Sequence, residues 1–151
     1  GGTINLVSKK PLEDFKGAVS FSSGSFETLR TTLDIGGPLS NNLFYRLNAG
    51  YQTSKTFRKN NNQKIVSVAP SFTFKPRKGT QIDVDLTYDN FDGYLDRGMG
   101  VKQTDLYAIN RSFTLSQPSD FFKTETFSFR TKLTQKILEN LSLTLNYSKS
   151  I

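Results

Sequence analysis

Three aspartates that are close in sequence, Asp83, Asp85 and Asp89, are the side chains best suited to metal binding or acid–base chemistry. Asp83 and Asp85 are two residues apart and would share one face of a strand. No glycine-centred calcium loop surrounds them. The chain has no His and no Cys, which excludes the common catalytic triads, the paired-histidine zinc motif and thiolate zinc sites. We therefore interpret the aspartates as solvated polar residues, and expect no catalytic residue, metal or cofactor.

A second group of chemically useful residues lies a few positions further on. Phe91, Tyr94, Arg97 and Met99 combine aromatic rings, a cation and a thioether with three nearby glycines. Tyr94 could pack on an apolar surface and still donate a hydrogen bond. Arg97 could bind carboxylate oxygens in a bidentate way. This mixture is typical of a binding loop rather than of a catalytic centre.

The elements that must position these residues show alternation of period two. Leu43, Tyr45 and Leu47, for example, alternate with Arg46 and Asn48. Successive strand residues point to opposite faces, so each segment has an apolar and a polar face. The pattern predicts an all-β antiparallel meander with strands at 15–24, 27–36, 43–57, 64–75, 80–90, 123–137 and 141–149. Since proline cannot donate to a ladder, Pro70 predicts a local bend or missing bond.

The predicted connections differ in length at the two ends of the sheet. Short turns at 36–42, 75–79 and 138–140 alternate with connections at 24–25, 58–63 and 89–122, which grow along the chain. An outer-membrane barrel has short turns on one side and long loops on the other, and its strands alternate apolar and polar residues. Alternation alone also fits a soluble β-sandwich, whose apolar faces would form the core.

Charge and the chain ends add two expectations. The formal net charge is +7, but the 20 Lys and Arg are dispersed beside turn-like residues, so we interpret them as solvated loop charges and expect no nucleic-acid partner. The chain begins with Gly1-Gly2, without Met or a signal peptide, and contains no long apolar run. We expect a chain that is processed or cut from a longer protein.

Several motifs together resemble the TonB-dependent outer-membrane siderophore receptors, including the ferrichrome-type members. The opening run from Gly1 to Pro11 is similar to the segment that closes the plug of that family. The motif at 36–39, Gly-Gly-Pro-Leu, resembles the family's first periplasmic turn, and those at 45–48 and 69–72 resemble its following strands. Residues 96–98, Asp-Arg-Gly, fall in the third outer loop. The resemblance covers nearly the whole chain in order and spacing.

The resemblance implies a partial transmembrane β-barrel, about seven strands of a plugged barrel of about 22. Residues 1–11 would be the plug's C-terminal end and hinge, and residues 12–151 the N-terminal part of the barrel. The implied function is uptake of ferric siderophores across the outer membrane of a Gram-negative bacterium, without catalysis. The implied partners are a ferric siderophore, membrane lipid and TonB, the last through a plug segment that this chain lacks.

Within that family, the loop at 89–122 is expected to contact the siderophore through Phe91, Tyr94, Arg97 and Met99. One set of leucines and a valine is expected to face lipid: Leu33, Leu47, Val68, Leu86, Leu133 and Leu143. Another set is expected to face the interior: Arg30, Arg46, Asp85 and Arg130. Two alternatives stay open, a small structural outer-membrane barrel and a soluble ligand-binding β-sandwich. In the small barrel, residues 1–11 would have no role.

Overall fold

The computed structural model describes residues 1–2, 8–94, 109–117 and 119–151. It contains one antiparallel sheet in which strands pair in sequence order, from β1 to β7. The strands are β1 (Lys16–Gly24), β2 (Thr28–Ser40), β3 (Leu43–Lys55), β4 (Asn62–Arg77), β5 (Thr80–Tyr94), β6 (Phe121–Leu138) and β7 (Leu141–Ser150). All seven predicted strands are present, and the all-β meander is confirmed.

The register sorts the side chains onto two faces of different chemistry. Leu47 lies opposite Ile35 and Pro70, and Pro70 falls in register with Leu86. This side is the apolar face, and it carries the six predicted residues: Leu33, Leu47, Val68, Leu86, Leu133 and Leu143. The other side is the charged face, on which a transverse row includes Arg46, Ser71, Asp85, Arg130 and Ser148. The alternation of apolar and polar residues in the sequence therefore produces one apolar face and one charged face in the sheet.

The two ends of the sheet differ as predicted, although the turns are tighter. Between β2 and β3, β4 and β5, and β6 and β7 only residues 41–42, 78–79 and 139–140 are outside strands; this is the short-turn end. Gly79 adopts a positive φ of 85° in its turn, a conformation that glycine accepts without steric cost. At the opposite, long-loop end, the connections are 25–27, 56–61 and 95–120.

The prediction of a turn at 36–42 was wrong in extent, because Gly36, Gly37 and Pro38 are paired strand residues opposite Arg46, Tyr45 and Phe44. Gly36 and Gly37 do not form a turn; they allow neighbouring chain segments to approach closely. A Cβ on Gly36 would lie 2.7 Å from the Tyr45 carbonyl oxygen. One on Gly37 would lie 3.0 Å from the Cα of Phe15. The register shifts between Pro38 and Ser40, and such an irregularity accommodates a proline beside a ladder.

The predicted long connections also differ at their edges. Asn62 and Gln63 belong to β4 and β3 ends at Lys55, so the loop predicted at 58–63 is shifted to 56–61 with the same length. The 89–122 loop loses both ends, because β5 continues to Tyr94 and β6 begins at Phe121, and these two residues pair. Alternation fades there, yet backbone pairing continues. Pairing does not require an apolar face, and this is why the pattern understated the lengths of β4, β5 and β6, whereas β3 ends at Lys55, two residues before its predicted end.

Pro70 has the effect expected of it. On the β3 side it lies opposite Leu47, whereas on the β5 side the ladder pairs Val68 with Tyr88 and next Ser71 with Asp85, without pairs in between. The register is unchanged across the gap. The strand is thus kept, with a local loss of pairing on one side, as the missing N–H requires.

The sheet has no second layer among the described residues. None of their hydrophobic side chains is buried, and Val19 and Phe21 are 72% and 66% exposed. Strands contact only their neighbours in this part of the chain, and β1 and β7 each have an unpaired edge. A β-sandwich would cover the apolar face with a second sheet. The described residues include no helix long and apolar enough to cross a membrane.

Candidate functional site

The segment before β1 lies across the charged face and is fixed there by specific contacts. We name residues 8–15, which overlap the predicted hinge at 1–11 and continue to the start of β1, the hinge segment. Lys9 Nζ donates to Asp34 Oδ2 at 2.8 Å. Its carbonyl oxygen accepts a hydrogen bond from Ser71 Oγ at 3.4 Å, and the Lys10 carbonyl accepts one from Arg46 Nη1 at 3.1 Å. Contacts to β2, β3 and β4 therefore hold one short stretch of chain against the sheet.

Asp34 is the centre of this attachment. Arg46 binds it in a bidentate way, with Nε to Oδ1 and Nη2 to Oδ2, both at 2.8 Å. Asp34 and Arg46 side chains are 25% and 17% exposed, so this pair is shielded more than an ordinary surface ion pair. Flipping the Asn48 amide lets its nitrogen donate to Asp34 as well, at 3.2 and 3.3 Å. One carboxylate thus joins two barrel-wall strands to the hinge segment. The sequence pattern could not reveal the contact between Lys9 and Asp34, because these residues are 25 positions apart.

Asp83 and Asp85, which the sequence offered as candidates for metal binding, lie among strand neighbours in the sheet. Asp83 accepts hydrogen bonds from Thr73 Oγ1 at 2.6 Å and from Gln81 Nε2 at 2.9 Å. Asp85 lies opposite Arg130. Within the described ranges no three acidic side chains gather as metal ligands do. An open cavity of ≈ 400 Å³ lies beside them, lined by hinge residues Ser8, Lys10 and Pro11 and by β5, β6 and β7 side chains.

The predicted ligand residues are only partly brought together. Phe91 lies on the charged face, where its ring is 6.1 Å from that of Phe122 at an interplanar angle of 55°. Tyr94 pairs with Phe121 and, three residues along the strand, lies on the opposite face. Arg97 and Met99 lie outside the described residues. The aromatic partner Phe122 was missed, although its position at the end of the 89–122 loop was a signal.

A second cluster at the long-loop end was also missed. The Phe57 ring lies 5.4 Å from the guanidinium carbon of Arg58 and 5.1 Å from that of Arg111. Lys59 N donates to the Ser112 carbonyl at 3.1 Å, which connects the loop at 56–61 to residues 109–117. The dense Arg58-Lys59 pair was the available signal, but we interpreted it as solvated charge. Its contacts show an organised basic and aromatic cluster.

Aromatic side chains follow the apolar face near both ends. Toward the long-loop end Tyr51, Tyr88 and Phe127 occupy adjoining rows, and toward the short-turn end Phe72, Phe74 and Tyr147 do so. Most are more than a third exposed, as are Tyr51 at 39% and Tyr147 at 56%. Between the two groups lies a row that is aliphatic from Ile35 through Leu47 to Leu86 and continues to Phe129 and Lys149. Two aromatic bands that flank an apolar band are typical of a membrane-spanning barrel wall.

The chain was compared with known proteins. It is 34% identical over 122 residues to the metal-pseudopaline receptor CntO of Pseudomonas aeruginosa strain UCBPP-PA14, a match that covers 80% of this chain and 17% of CntO. It is 35% identical over 94 residues to the ferripyoverdine receptor of P. aeruginosa strain PAO1, covering 61% of this chain and 12% of that receptor. No family model matches the chain.

Solved structures show the same fold. The siderophore receptor PiuA of Acinetobacter baumannii superposes with a TM-score of 0.88 at 23% identity, covering 99% of this chain and 23% of PiuA. The outer-membrane ferripyoverdine receptor of P. aeruginosa superposes with a TM-score of 0.78 at 24% identity, covering 97% of this chain and 21% of the receptor. The chain thus matches 12–17% of the length of the two sequence relatives and 21–23% of the two solved structures.

A single sheet with a bare apolar face, a charged face and unequal ends has the features of a segment of a β-barrel wall. Its sequence relatives are receptors rather than enzymes. By sequence and by fold, the chain is homologous to one segment of the TonB-dependent siderophore receptors, and the identification made from its sequence motifs is confirmed.

Proposed function

We propose that the complete protein takes up ferric siderophores across the outer membrane of a Gram-negative bacterium. The observation that carries this is the two-faced sheet with the hinge segment fixed to its charged side. The contact of Lys9 with Asp34 and that of the Lys10 carbonyl with Arg46 are not needed to pair the strands of a barrel wall. The end of a plug requires such an attachment. The relationship to a ferripyoverdine receptor and to a metal-pseudopaline receptor supports a chelated metal as cargo.

The chain's own parts have separate roles in this proposal. Residues 1–11 are the C-terminal end of the plug and its hinge, and residues 12–151 are the first part of the barrel. The apolar face meets lipid, and the charged face meets the plug and lumen water. Phe91, Arg97 and Met99 remain the proposed siderophore contacts, with Phe91 now accompanied by Phe122. Tyr94 ends β5 on the apolar face, and we no longer propose it as a contact. TonB would act on a plug segment upstream of Gly1, and no covalent step on the cargo is needed.

Uptake in a defined strain tests the proposal. The complete gene is expressed in a Gram-negative strain that lacks its own siderophore receptors, with and without a functional TonB. Radiolabelled iron bound to a panel of siderophores should accumulate only where both the receptor and TonB are present. An assembled protein that promotes no uptake would favour the small structural barrel. A product that stays soluble without detergent would favour the β-sandwich.

Metal identity is the second point that uptake measures. The relative with 34% identity is a metal-pseudopaline receptor, a description that does not restrict the metal to iron. The same assay is therefore run with iron, zinc, nickel and cobalt on each chelator. Accumulation of iron alone supports the ferric assignment, whereas accumulation of another metal as its chelate would correct the cargo while keeping the receptor class.

A further inference from the structure

The apolar face changes character toward the long-loop end, where its outward side becomes polar. Five side chains on that side form what we name the polar cluster: Lys64, Asn90, Asp92, Lys123 and Glu125. Along β5, Asp92 lies about 13 Å beyond Tyr88, at about 3.4 Å per residue. Charge on the outside of a barrel costs most at mid-membrane and little near the interfaces. In a membrane-embedded wall the polar cluster therefore lies at the level of the lipid headgroups.

An open cavity of ≈ 240 Å³ lies among these side chains. Its lining consists of Lys64, Val66, Tyr88, Asn90, Asp92 and Lys123. Val66 and Tyr88 lie toward the middle of the sheet, whereas Lys64, Asp92 and Lys123 share one row nearer the long-loop end. The cavity thus offers apolar surface on its membrane side and charge on its outer side, which suits a molecule with an apolar and an ionic part.

The charges around the cavity are not used up by ion pairs across it. Asp92 lies opposite Lys64 on one neighbouring strand and opposite Lys123 on the other. Neither lysine forms an ion pair with Asp92 in the part of the chain that the structure describes. Lys123 Nζ instead lies 2.8 Å from Glu125 Oε1, and Lys64 Nζ lies 5.7 Å from the centroid of the Tyr51 ring. An ammonium group has three donors, so both lysines keep hydrogen-bonding capacity for a ligand.

Hydrogen bonds order one wall of the cavity. Asn90 Nδ2 donates to Glu125 Oε1 at 2.8 Å and to the Tyr88 hydroxyl oxygen at 3.3 Å. Because Lys123 also contacts Glu125, a chain of contacts runs from the tyrosine ring to the ammonium group. These side chains are held in place before any ligand binds, which lowers the ordering cost of binding.

We propose that the polar cluster binds the phosphorylated sugar headgroup of lipopolysaccharide. The long loops of an outer-membrane barrel face the cell exterior, so the leaflet at this end is the outer one, which is built from that glycolipid. Lys64 and Lys123 donate charge-assisted hydrogen bonds to a phosphate group. The Asp92 carboxylate accepts hydrogen bonds from sugar hydroxyl groups, and Val66 and Tyr88 contact the start of the acyl chains.

This inference rests on the outer-membrane placement in the proposed function and is independent of the cargo. It is tested with lipid A, the phosphorylated and acylated disaccharide that anchors lipopolysaccharide. The complete receptor is purified in detergent and freed of lipid. Its affinity is then measured in mixed micelles for lipid A, for dephosphorylated lipid A and for phosphatidylglycerol, an anionic phospholipid.

Two double variants separate the polar cluster from positive charge in general. The site variant combines Lys64→Gln with Lys123→Gln, and the control variant combines Lys78→Gln with Lys136→Gln. All four lysines are exposed, and the control removes the same charge at the short-turn end. The site variant should lose about tenfold or more in affinity for lipid A and little for the dephosphorylated form. The control variant should match wild type for both.

Wild type should also prefer lipid A over phosphatidylglycerol by about tenfold, because the sugar adds hydrogen bonds that the phospholipid cannot make. Equal affinity for these two lipids would refute a glycolipid site and indicate general attraction of anionic lipid. Equal affinity for the two forms of lipid A, or unchanged affinity of the site variant, would refute phosphate binding by these lysines.

Uptake of chelated iron, measured on the same proteins, keeps this inference apart from the proposed function. The site variant should transport as wild type does, because the polar cluster faces away from the lumen. Uptake by a wild-type receptor that does not discriminate between the lipids would refute the glycolipid site alone. A wild-type receptor that binds lipid A selectively but transports no chelate would refute the proposed cargo and leave the glycolipid site in place.

Discussion

The two faces of the sheet interact with their surroundings by different rules. On the apolar face, among the residues that the structure describes, each strand contacts only its neighbouring strands, and an apolar side chain of suitable size would serve at the aliphatic positions. On the charged face single atoms matter: Asp34 accepts three hydrogen bonds from two cations at 2.8 Å. The comparison teaches that the apolar face depends on the kind of residue it carries, whereas the charged face depends on the exact position of single atoms. On the apolar face, the effect of a substitution should therefore depend on whether the new side chain is apolar. On the charged face it should depend on which residue is replaced.

The largest effect is expected where charge is placed on the apolar face. Leu47 lies in the aliphatic row between the aromatic bands, and Leu47→Arg should cost about 2–4 kcal/mol of assembly free energy, as Arg does near mid-membrane. Its neighbour Asn48 lies on the charged face beside Asp34, so Asn48→Arg should be tolerated. Folding of the complete receptor into lipid vesicles at increasing urea measures both. Equal tolerance at the two positions would contradict the assignment of the faces.

The next effect concerns two glycines on the charged face that differ in their surroundings. A Cβ on Gly36 would lie 2.7 Å from the Tyr45 carbonyl oxygen, which belongs to backbone and cannot rotate away, whereas one on Gly50 would meet nothing within 4 Å. Gly36→Ala should therefore destabilise by about 1–3 kcal/mol, the usual cost of overpacking. Gly50→Ala should have little effect. The same urea titration compares them, and an equal loss at both would show that strand approach at Gly36 is not limiting.

A more local effect of similar size is expected at the hinge attachment. Asp34→Asn removes the charge that Lys9 and Arg46 share and leaves both cations without it, at a cost of about 1.5–3 kcal/mol for a charged hydrogen-bonding group. The hinge segment should open more often, and trypsin should cut after Lys9 about tenfold faster in the complete receptor, whereas Pro11 blocks cleavage after Lys10. Asp14→Asn removes the same charge from the hinge segment itself and should leave cleavage unchanged. Unaltered cleavage in Asp34→Asn would exclude Asp34 as the anchor.

These comparisons also show what the sequence could and could not predict. Alternation of period two is a local property, so it predicted seven strands, their order and the face of every residue tested, Leu47 and Arg46 among them. Gly36 and Gly37 were misread as a turn, because a glycine needed for close approach looks the same in sequence as one needed for a bend. Phe91 and Tyr94 are three residues apart, so they lie on opposite faces of a strand. The sequence could have predicted this only if β5 had been known to continue to Tyr94.

The contacts that define the site were harder to predict, because they join distant parts of the chain. Lys9 and Asp34 are 25 residues apart, and Ser71 and Lys9 are 62 apart. Arg111 reaches Phe57 across two further strands. No local pattern encodes such distances, since they depend on how the sheet brings loops and strands together. Charge and aromatic content marked the candidates, and only the fold paired them.

The smallest effect is expected at the exposed end of the hinge segment. Lys75 Nζ donates to Glu13 Oε1 at 2.8 Å, and this hydrogen bond, with the charge of Lys75, lowers the pKa of Glu13 below its ordinary value. A lowered pKa in the folded state means that the contact stabilises the hinge above the ordinary glutamate pKa. The contribution fades as pH falls through the folded pKa. Both side chains are exposed, at 74% for Glu13 and 40% for Lys75, so solvent screens most of the interaction.

Carbon-detected titration of labelled glutamate carboxyls in the complete receptor measures this directly. The Glu13 resonance should titrate below the ordinary glutamate pKa. Lys75→Gln should move the Glu13 midpoint up toward that ordinary value. Because Lys75 also lies 5.0 Å from the Phe44 ring centroid, Lys75→Arg is the conservative variant that keeps the charge in both contacts. Lys75→Arg should restore the low Glu13 midpoint. If the Glu13 midpoint is the same whichever residue occupies position 75, the ion pair does not form in the membrane-embedded receptor.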